Sequence, residues 1–370
     1  IVLASRVTRD DDTPATVRFR ALPKGPREGK FAALAGIGLG DNAWVECPRD
    51  WRAPFLPAAT GEWSTFPALD DFFVYNGSGV MPGRTWIIAP DADSLKRRWD
   101  TLIHAPPEQK EELFYPHMRN GQLGDKHTTK VVRQGLSGHE TRTIPVASDG
   151  GSCVKPVRYA FRSFARQWII PDNRVINQPN PQLWQWYSDQ QVHLTAFMQC
   201  SPTSGPAMTF CGLLPDLHHY KGNFGGRVFP LWTDAAMRES NLRPGLLAFL
   251  GERYGEKTSA EDLMAYLAGV ASHAAFTSRF QPDLVQPGLR IPLTADANLF
   301  REAVQLGHRV IWLHTYGERF ASPKEGRPKG PPRLPKDRMP RIPAQGAIPD
   351  TPAAMPDVID YDPARQRLLI

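Results

Sequence analysis

Arginines and aromatic residues alternate along residues 158–232, among apolar runs separated by turns rich in proline, asparagine, aspartate and glycine. Cations in such positions neutralise phosphates or pair with guanine edges, and aromatic rings stack on bases. We therefore expect this stretch to contact a polyanion that carries flat bases. The candidate contacts are Arg158, Tyr159, Arg162, Phe164, Arg166, Trp168, Arg174, Lys221 and Arg227. The alternative is a strand-rich core whose arginines extend over buried rings to reach water.

Asp216, His218 and His219 lie close together in the segment LLPDLHHYKG. Adjacent histidines on a strand point to opposite faces, so only one of them could join Asp216 at a metal ion. No second cluster of histidine or cysteine supplies further ligands at a typical spacing. We therefore predict no metal site, and we add His218 and His219 to the candidates as structural or base-contacting residues.

The sequence offers little catalytic chemistry. It contains no GxxxxGK[ST] phosphate-binding loop, and Ser204-Gly205 lacks the glycines of a nucleophile elbow. The segment AGIGLGD is similar to loops that hold S-adenosylmethionine, but no buried strand precedes it. We interpret it instead as a turn that ends a helix. We predict that this chain has no catalytic residue and binds no cofactor of its own.

Hydrophobic periodicity predicts short strands in the first two thirds of the chain and helices mainly after them. The predicted strands are 16–22, 85–89, 167–170, 191–197, 207–214 and 227–232. The predicted helices are 28–39, one from Asp91 or Asp93, 108–114, 242–254, one capped by Ser259, and one from Thr294 or Asp296 to Gly307, followed by a short apolar element at 310–313. This order predicts an α+β fold, in which a mixed or antiparallel sheet of short strands with long loops packs against a C-terminal group of helices.

Composition limits the class of protein. The 370 residues carry 44 Lys and Arg against 38 Asp and Glu, a net charge of +6 that permits nucleic acid as a partner without requiring it. No apolar run approaches the ~20 residues of a membrane span. Four cysteines without a CxxC pair predict a reduced, cytoplasmic protein. The chain begins at Ile1 rather than Met, which predicts a piece of a longer polypeptide.

Several longer blocks resemble a known family. They are SGVMPGRTWIIAPDADSLKRRWD, YAFRSFARQWIIPDNRVINQPNPQLW, SPTSGPAMTFCGLLPDLHHYKGNFGGRVFPLW, PGLRIPLTADANLF and VIWLHTYGERF. The chain resembles the C-terminal part of type ISP restriction-modification enzymes, in which nuclease, helicase, coupler, adenine methyltransferase and target-recognition regions share one polypeptide. No matched block holds a catalytic residue, and the methyltransferase motif Asn-Pro-Pro-Tyr is missing.

The resemblance implies four segments. Residues 1–103 would be the end of the methyltransferase region and a junction, 104–156 an irregular excursion, 157–320 the target-recognition domain, and 321–370 an extended tail. The tail is rich in proline and basic residues, so it is either a polyproline-like linker or an arm that contacts phosphates.

The resemblance also implies a function, which is recognition of a sequence in double-stranded DNA. Upstream domains of the same polypeptide would carry out N6-adenine methylation and ATP-dependent restriction, with S-adenosylmethionine, ATP and Mg²⁺ as cofactors of the parent enzyme. Two alternatives remain: a free-standing S-adenosylmethionine-dependent methyltransferase that uses AGIGLGD, and a structural coupler that contacts only protein.

Overall fold

The computed structural model describes residues 15–23, 25–47, 55, 57, 61–119, 121–124, 126–197, 202, 204–220, 226–285, 288–320, 360–362 and 367–369. These residues belong to two compact units, Ile1–Arg327 and Pro328–Ile370. The candidate Lys221 and the basic, proline-rich residues 321–350 lie outside the described residues.

Short strands and mostly short helices alternate through the chain. The strands are β1 (Arg18–Phe19), β2 (Val45–Glu46), β3 (Gly77–Ser78), β4 (Ile88–Ala89), β5 (Met118–Arg119), β6 (Gln122–Leu123), β7 (Val157–Arg162), β8 (Ala165–Ile169), β9 (His193–Ala196), β10 (Met208–Cys211), β11 (Arg227–Pro230), β12 (Asp360–Asp362) and β13 (Arg367–Leu369). The helices are α1 (Arg27–Ala35), α2 (Leu69–Phe72), α3 (Ala92–His104), α4 (Pro107–Phe114), α5 (Pro181–Gln185), α6 (Leu246–Tyr254), α7 (Ala260–Ala271), α8 (Ala274–Arg279) and α9 (Ala297–His314). Short 3-10 turns occupy Gly61–Thr65, Thr85–Ile87, Val146–Ser148 and Asp283–Val285.

Two antiparallel sheets organise the first unit. One has the strand order β10-β9-β11-β3, and the other has the order β4-β8-β7. The strands β3 and β4, which precede residue 103, therefore complete sheets built mainly from residues after 157. Two-stranded pairs are formed by β1 with β2 and by β5 with β6, and β12 pairs with β13 in the second unit.

Each sheet has its own hydrophobic core. The four-stranded sheet packs Leu194, Phe210 and Phe229 against α6, α7, α8 and α9. The three-stranded sheet packs against α3 and α4, whose Trp99 and Phe114 are fully buried. Short antiparallel strands covered by C-terminal helices confirm the predicted α+β class.

Two isolated backbone bridges, both to the segment Pro215-Asp216, join the two sheets. Val80 forms a parallel bridge with Asp216, and Ala160 of β7 forms another with Pro215. Gly79 permits this approach, because a Cβ atom on it would lie 2.4 Å from the carbonyl oxygen of Asp216. The close neighbour of Gly79 is therefore the protein's own backbone.

The end of α9 was predicted wrongly. The helix does not stop at Gly307 but continues to His314 and includes the separate element predicted at 310–313. Gly307 lies where α9 crosses α7, and a Cβ on it would lie 1.7 Å from the carbonyl oxygen of Ala265. The glycine therefore allows close helix packing and does not cap the helix.

The glycine-rich segment AGIGLGD is a turn after α1, as predicted. The Gly36 N–H donates to the Ala33 carbonyl oxygen and the Ile37 N–H donates to that of Leu34, which caps the end of the helix. Asp41 accepts a hydrogen bond from the Gly38 N–H and forms an ion pair with Arg20. These contacts engage Asp41 and the Gly38 N–H within the chain.

Candidate nucleic-acid interface

The strands β7 and β8 and the turn between them form a unit that we call the arginine hairpin. Its register pairs Arg158 with Trp168, Ala160 with Arg166 and Arg162 with Ala165. Arg158 and Arg166 share a face, because paired and alternate residues do so and both side chains reach Glu318. The register shifts between Ala160 and Arg162, so alternation does not place Arg162, but its side chain lines the same pocket as Arg166. Tyr159 lies on the other face, which is buried in the core.

A two-residue turn, Ser163-Phe164, closes the arginine hairpin. Phe164 has a φ of 62° and is 51% exposed. Glycine or asparagine is preferred at this conformation, because a Cβ atom makes it strained. The Tyr316 hydroxyl donates a hydrogen bond to the Phe164 carbonyl oxygen, and the Phe164 ring meets the His314 ring edge to face at 4.8 Å. The turn is thus fixed by residues at the end of α9.

Arg166 is held by the segment that follows α9. Its guanidinium donates two hydrogen bonds to the Glu318 carboxylate, at 2.8 and 3.1 Å, and a third to the Thr315 carbonyl oxygen. It also lies over the Tyr316 ring, 4.0 Å from the centroid. Arg158 lies farther out, 3.9 Å from Glu318, with half of its side chain exposed.

Arg162 contacts the buried carboxylate of Asp216. Its Nη1 atom donates to Asp216 Oδ1 at 2.8 Å and to the Phe161 carbonyl oxygen at 2.6 Å. The other Asp216 oxygen accepts a hydrogen bond from the Tyr159 hydroxyl at 2.8 Å. Burial raises the pKa of Asp216, while these donors and the charge of Arg162 favour its ionised form. Both of these Arg162 hydrogen bonds use Nη1, and the guanidinium also lies over the Phe161 ring, 4.0 Å from the centroid.

The two candidate histidines occupy different environments. His219 is buried, its Nδ1 lies 3.0 Å from the Thr195 hydroxyl, and burial lowers its pKa to about 3. It is therefore neutral at pH 7 and supports the hairpin from below through its carbonyl oxygen, which accepts from the Ser163 N–H. His218 is half-buried, and its backbone N–H donates to Asp216.

Arg174 lies inside the second core, away from the face that carries the other arginines. Its side chain is 1% exposed and forms ion pairs with Asp172 at 2.6 Å and Asp149 at 2.7 Å. Burial disfavours the Arg174 charge, but the two carboxylates outweigh this effect and raise the pKa of Arg174. The donors of Arg174 are thus used within the protein.

The remaining candidates lie apart from the hairpin turn. Arg227 donates from Nε to the Asn76 side chain at 2.7 Å. Trp168 is half-buried against the second core. The structure thus gathers Arg158, Arg162, Phe164 and Arg166 on one hairpin, with His218 beside Asp216.

Sequence reasoning missed the residues that hold the hairpin from the opposite chain segment. Phe164, Arg162, Arg166, His219, His314 and Tyr316 all line a pocket of about 10 Å³ beneath the turn. Burial lowers the pKa of His314 to about 4, and its Nδ1 accepts from the Phe210 N–H. The alternation of residues 312–320 (WLHTYGERF) could have suggested a contact, but nothing in the sequence pairs Glu318 with Arg166, 152 residues away.

The described residues contain no cluster of three or more histidine, cysteine, aspartate or glutamate side chains that could hold a metal ion. In the same part of the chain, no helix is long and apolar enough to cross a bilayer.

Comparison with solved structures finds the same fold in a longer chain. The cryo-EM structure of a DrdV-DNA complex is 16% identical with a TM-score of 0.50, and the match covers 79% of this chain and 30% of that chain. The ATP-dependent Type ISP restriction-modification enzyme LlaBIII bound to DNA is 13% identical with a TM-score of 0.49, and the match covers 74% of this chain and 18% of that chain. A nuclease-deletion mutant of the Type ISP restriction-modification enzyme LlaGI in complex with a DNA substrate mimic is 16% identical with a TM-score of 0.47. That match covers 79% of this chain and 27% of that chain. This chain thus spans less than a third of each of these solved chains.

Family comparison confirms the resemblance predicted from the sequence blocks. No curated protein matches the chain. Residues 71–370 match the Type ISP C-terminal specificity domain, which covers more than half of the sequence. The chain therefore belongs to the family of Type ISP C-terminal specificity domains.

Proposed function

We propose that this chain recognises a specific base sequence in double-stranded DNA and that the arginine hairpin makes part of the contact. The family is one of specificity domains, and the DrdV chain with the same fold was solved with DNA. The observation that carries the proposal is the arginine hairpin itself, which carries Arg158, Arg162 and Arg166 together with the exposed turn residue Phe164.

The arginines of the hairpin divide by their surroundings. Arg162 is oriented by Asp216 through Nη1, so its remaining donors form a fixed pair suited to the O6 and N7 atoms of guanine. Arg158 is half exposed and only 3.9 Å from Glu318, which suits a looser contact with a phosphate. Arg166 is largely engaged by Glu318 and positions the turn.

The buried candidates take supporting roles in this proposal. Tyr159 and His219 hold Asp216 and Ser163, and thereby fix Arg162 and the turn. Arg174 stabilises the second core and makes no DNA contact. His218, Arg227 and Trp168 contribute at the edges of the surface, and Lys221 with the basic tail adds phosphate contacts.

The proposal places this chain within a longer enzyme. Upstream domains of the same polypeptide would methylate adenine at N6 or restrict unmodified DNA, using S-adenosylmethionine, ATP and Mg²⁺. Such an enzyme would act in the cytoplasm, where it meets incoming DNA. The role of this chain is to place those activities at the correct site.

A salt series tests the DNA role directly. Fluorescence anisotropy of this chain with a labelled 30-base-pair duplex of random sequence, between 50 and 200 mM NaCl, should show affinity that falls linearly on a logarithmic plot. The slope should decrease when Arg158 is changed to alanine, whereas Arg238→Ala, a highly exposed arginine next to Asp234, should leave it unchanged. Absence of binding at 50 mM salt, or binding that ignores salt, would favour the structural coupler.

A further inference from the structure

Phe164 occupies a position that protein stability alone does not explain. It is a large apolar side chain, 51% exposed, in a backbone conformation with a φ of 62°. Half of the side chain is exposed, and the left-handed conformation strains any residue with a Cβ atom. Glycine would adopt the turn with less strain, so the stability of the turn does not account for a phenylalanine here.

The turn is also held rigidly in place. Tyr316 donates its hydroxyl hydrogen to the Phe164 carbonyl oxygen, and the His314 ring supports one edge of the Phe164 ring. Tyr316 itself has a φ of 57° and lies under the Arg166 guanidinium at 4.0 Å. Two strained residues thus support each other, and the exposed ring face is presented in a fixed orientation.

Two cations flank the turn, and each also contacts a carboxylate, Arg162 with Asp216 and Arg166 with Glu318. Arg162 and Arg166 line the pocket beneath Phe164, and Arg158 shares a face of the hairpin with Arg166. A rigid apolar ring between cations suits a base step between two phosphate backbones, because the cations hold the phosphates while the ring enters the stack.

We propose that Phe164 is a preformed wedge that inserts into a base step of duplex DNA and binds the exposed face of a nucleobase. This inference rests on the proposed DNA function and adds a site and a ligand to it. The protein bears the strain of the turn before binding, so the wedge needs no rearrangement when it meets DNA. The base step must open, and a weakly stacked step opens at the lowest cost.

Phe164→Gly tests the wedge without endangering the fold, because glycine relieves the left-handed strain. Thermal melts should show a stability equal to or above that of the unchanged protein. Affinity for a duplex enriched from a randomised library should fall about tenfold, the loss expected for one base-aromatic contact. Phe164→Trp should keep the affinity, and Phe249→Ala, which removes an aromatic residue of similar exposure on α6, should not change it.

A mismatch scan locates the step. A series of duplexes carries a single mismatch at each position of the enriched sequence in turn. Binding should be strongest when the mismatch lies at the step that Phe164 enters, because the mismatch has already weakened the stacking there. Phe164→Gly should lose this gain. If Phe164→Gly binds as tightly as the unchanged chain while Arg162→Ala binds weakly, the wedge is wrong and the DNA function stands. If no duplex binds with a salt dependence, both are wrong.

Discussion

Glu318 accepts two hydrogen bonds from the Arg166 guanidinium, at 2.8 and 3.1 Å, and lies 3.9 Å from Arg158. One carboxylate thus faces two arginines of the hairpin that we propose as the DNA contact. It fixes Arg166 over Tyr316, and in the proposed complex it would compete with phosphate for both cations. The Glu318–Arg166 ion pair links the segment after α9 to the hairpin. We therefore expect it to raise the stability of the fold and to lower the affinity for DNA.

Glu318→Gln separates these two effects. We expect the free energy of unfolding to fall by about 1–2 kcal/mol, between the values for surface and buried ion pairs. Affinity for duplex DNA should rise two- to fivefold, and the salt dependence should steepen by about one phosphate contact, because the freed arginines reach phosphates. Urea denaturation and anisotropy measure the two quantities. Glu302→Gln removes the same charge from an exposed position on α9, so it should change neither the free energy of unfolding nor the DNA affinity strongly. Weaker DNA binding by Glu318→Gln would mean that Glu318 orients Arg166 for DNA.

Arg162→Ala should weaken cognate binding more than random binding. Loss of a paired contact to guanine costs about 1–3 kcal/mol of discrimination. The comparison uses competition between an enriched duplex and a random one, after a thermal melt confirms that Asp216 is tolerated without its partner. Arg166→Ala should show a smaller difference between the duplexes, because Glu318 engages most of its donors. An equal loss on both duplexes would reduce Arg162 to a phosphate contact.

Arg174→Met should damage the fold and spare the interface. Removing this cation leaves Asp149 and Asp172 buried without a partner, which costs about 3–5 kcal/mol. Urea denaturation should report this loss, while the fraction that remains folded binds DNA with unchanged affinity and salt dependence. A stable Arg174→Met protein that fails to bind DNA would place Arg174 in the contact and contradict the role given to it here.

Acid should destabilise the protein through buried histidines. Burial lowers the pKa values of His193 and His219 to about 3 and that of His314 to about 4, from an ordinary value of 6.5. The unfolded chain therefore takes up protons below pH 6.5 that the folded chain refuses, so stability is full above pH 6.5 and falls as the pH drops. Each histidine contributes a slope of about 1.4 kcal/mol per pH unit near pH 5.

Urea denaturation at pH 7, 6 and 5 measures this slope. His314→Gln removes one titrating group and should make the slope shallower by about one third of the histidine contribution. His104→Gln, at the exposed end of α3, should leave it as it is. Constant stability from pH 7 to pH 5 would mean that these rings are protonated or exposed in solution.

Gly307→Ala should disrupt the crossing of α7 and α9. Its Cβ would lie 1.7 Å from the Ala265 carbonyl oxygen and 2.9 Å from the Gly269 nitrogen, so the helices must separate. We expect a loss of at least about 2 kcal/mol, the range for overpacked cores. Gly29→Ala in α1 meets nothing within 4 Å and should stabilise slightly through helix propensity. Equal effects of the two substitutions, measured by thermal melts, would refute the close crossing.

The local sequence predicted where helices and strands begin better than it predicted which elements they contact. Ser259 caps α7 as predicted, and of the alternatives given for α3 and α9 the caps are Asp91 and Asp296. These caps could be located from the sequence because a capping side chain acts within three residues. The end of α9 was wrong because Gly307 serves a contact with α7 that the local sequence does not reveal. The predicted strand at 85–89 is mostly a 3-10 turn, since only Ile88 and Ala89 find a partner strand in β8.

The candidate site was predicted in part for the same reason. The interleaving of arginines with aromatic residues identified the arginines, but the sequence predicted only the strand at 167–170 and not the hairpin that it forms with β7. It also did not separate the exposed Arg158 from the buried Arg174. That difference depends on Asp149 and Asp172, which close around Arg174 only in the folded chain. Whether each candidate touches DNA stays a prediction.

The central claim, that the arginine hairpin recognises a base sequence, is tested most directly by selection. Duplexes bound by the unchanged chain from a fully randomised library are sequenced, and the same selection is repeated with Arg162→Ala. We predict a defined motif for the unchanged chain and a motif for Arg162→Ala that loses its preference at one guanine while keeping the other positions. No enriched motif for the unchanged chain, or an identical motif for both proteins, would contradict the claim.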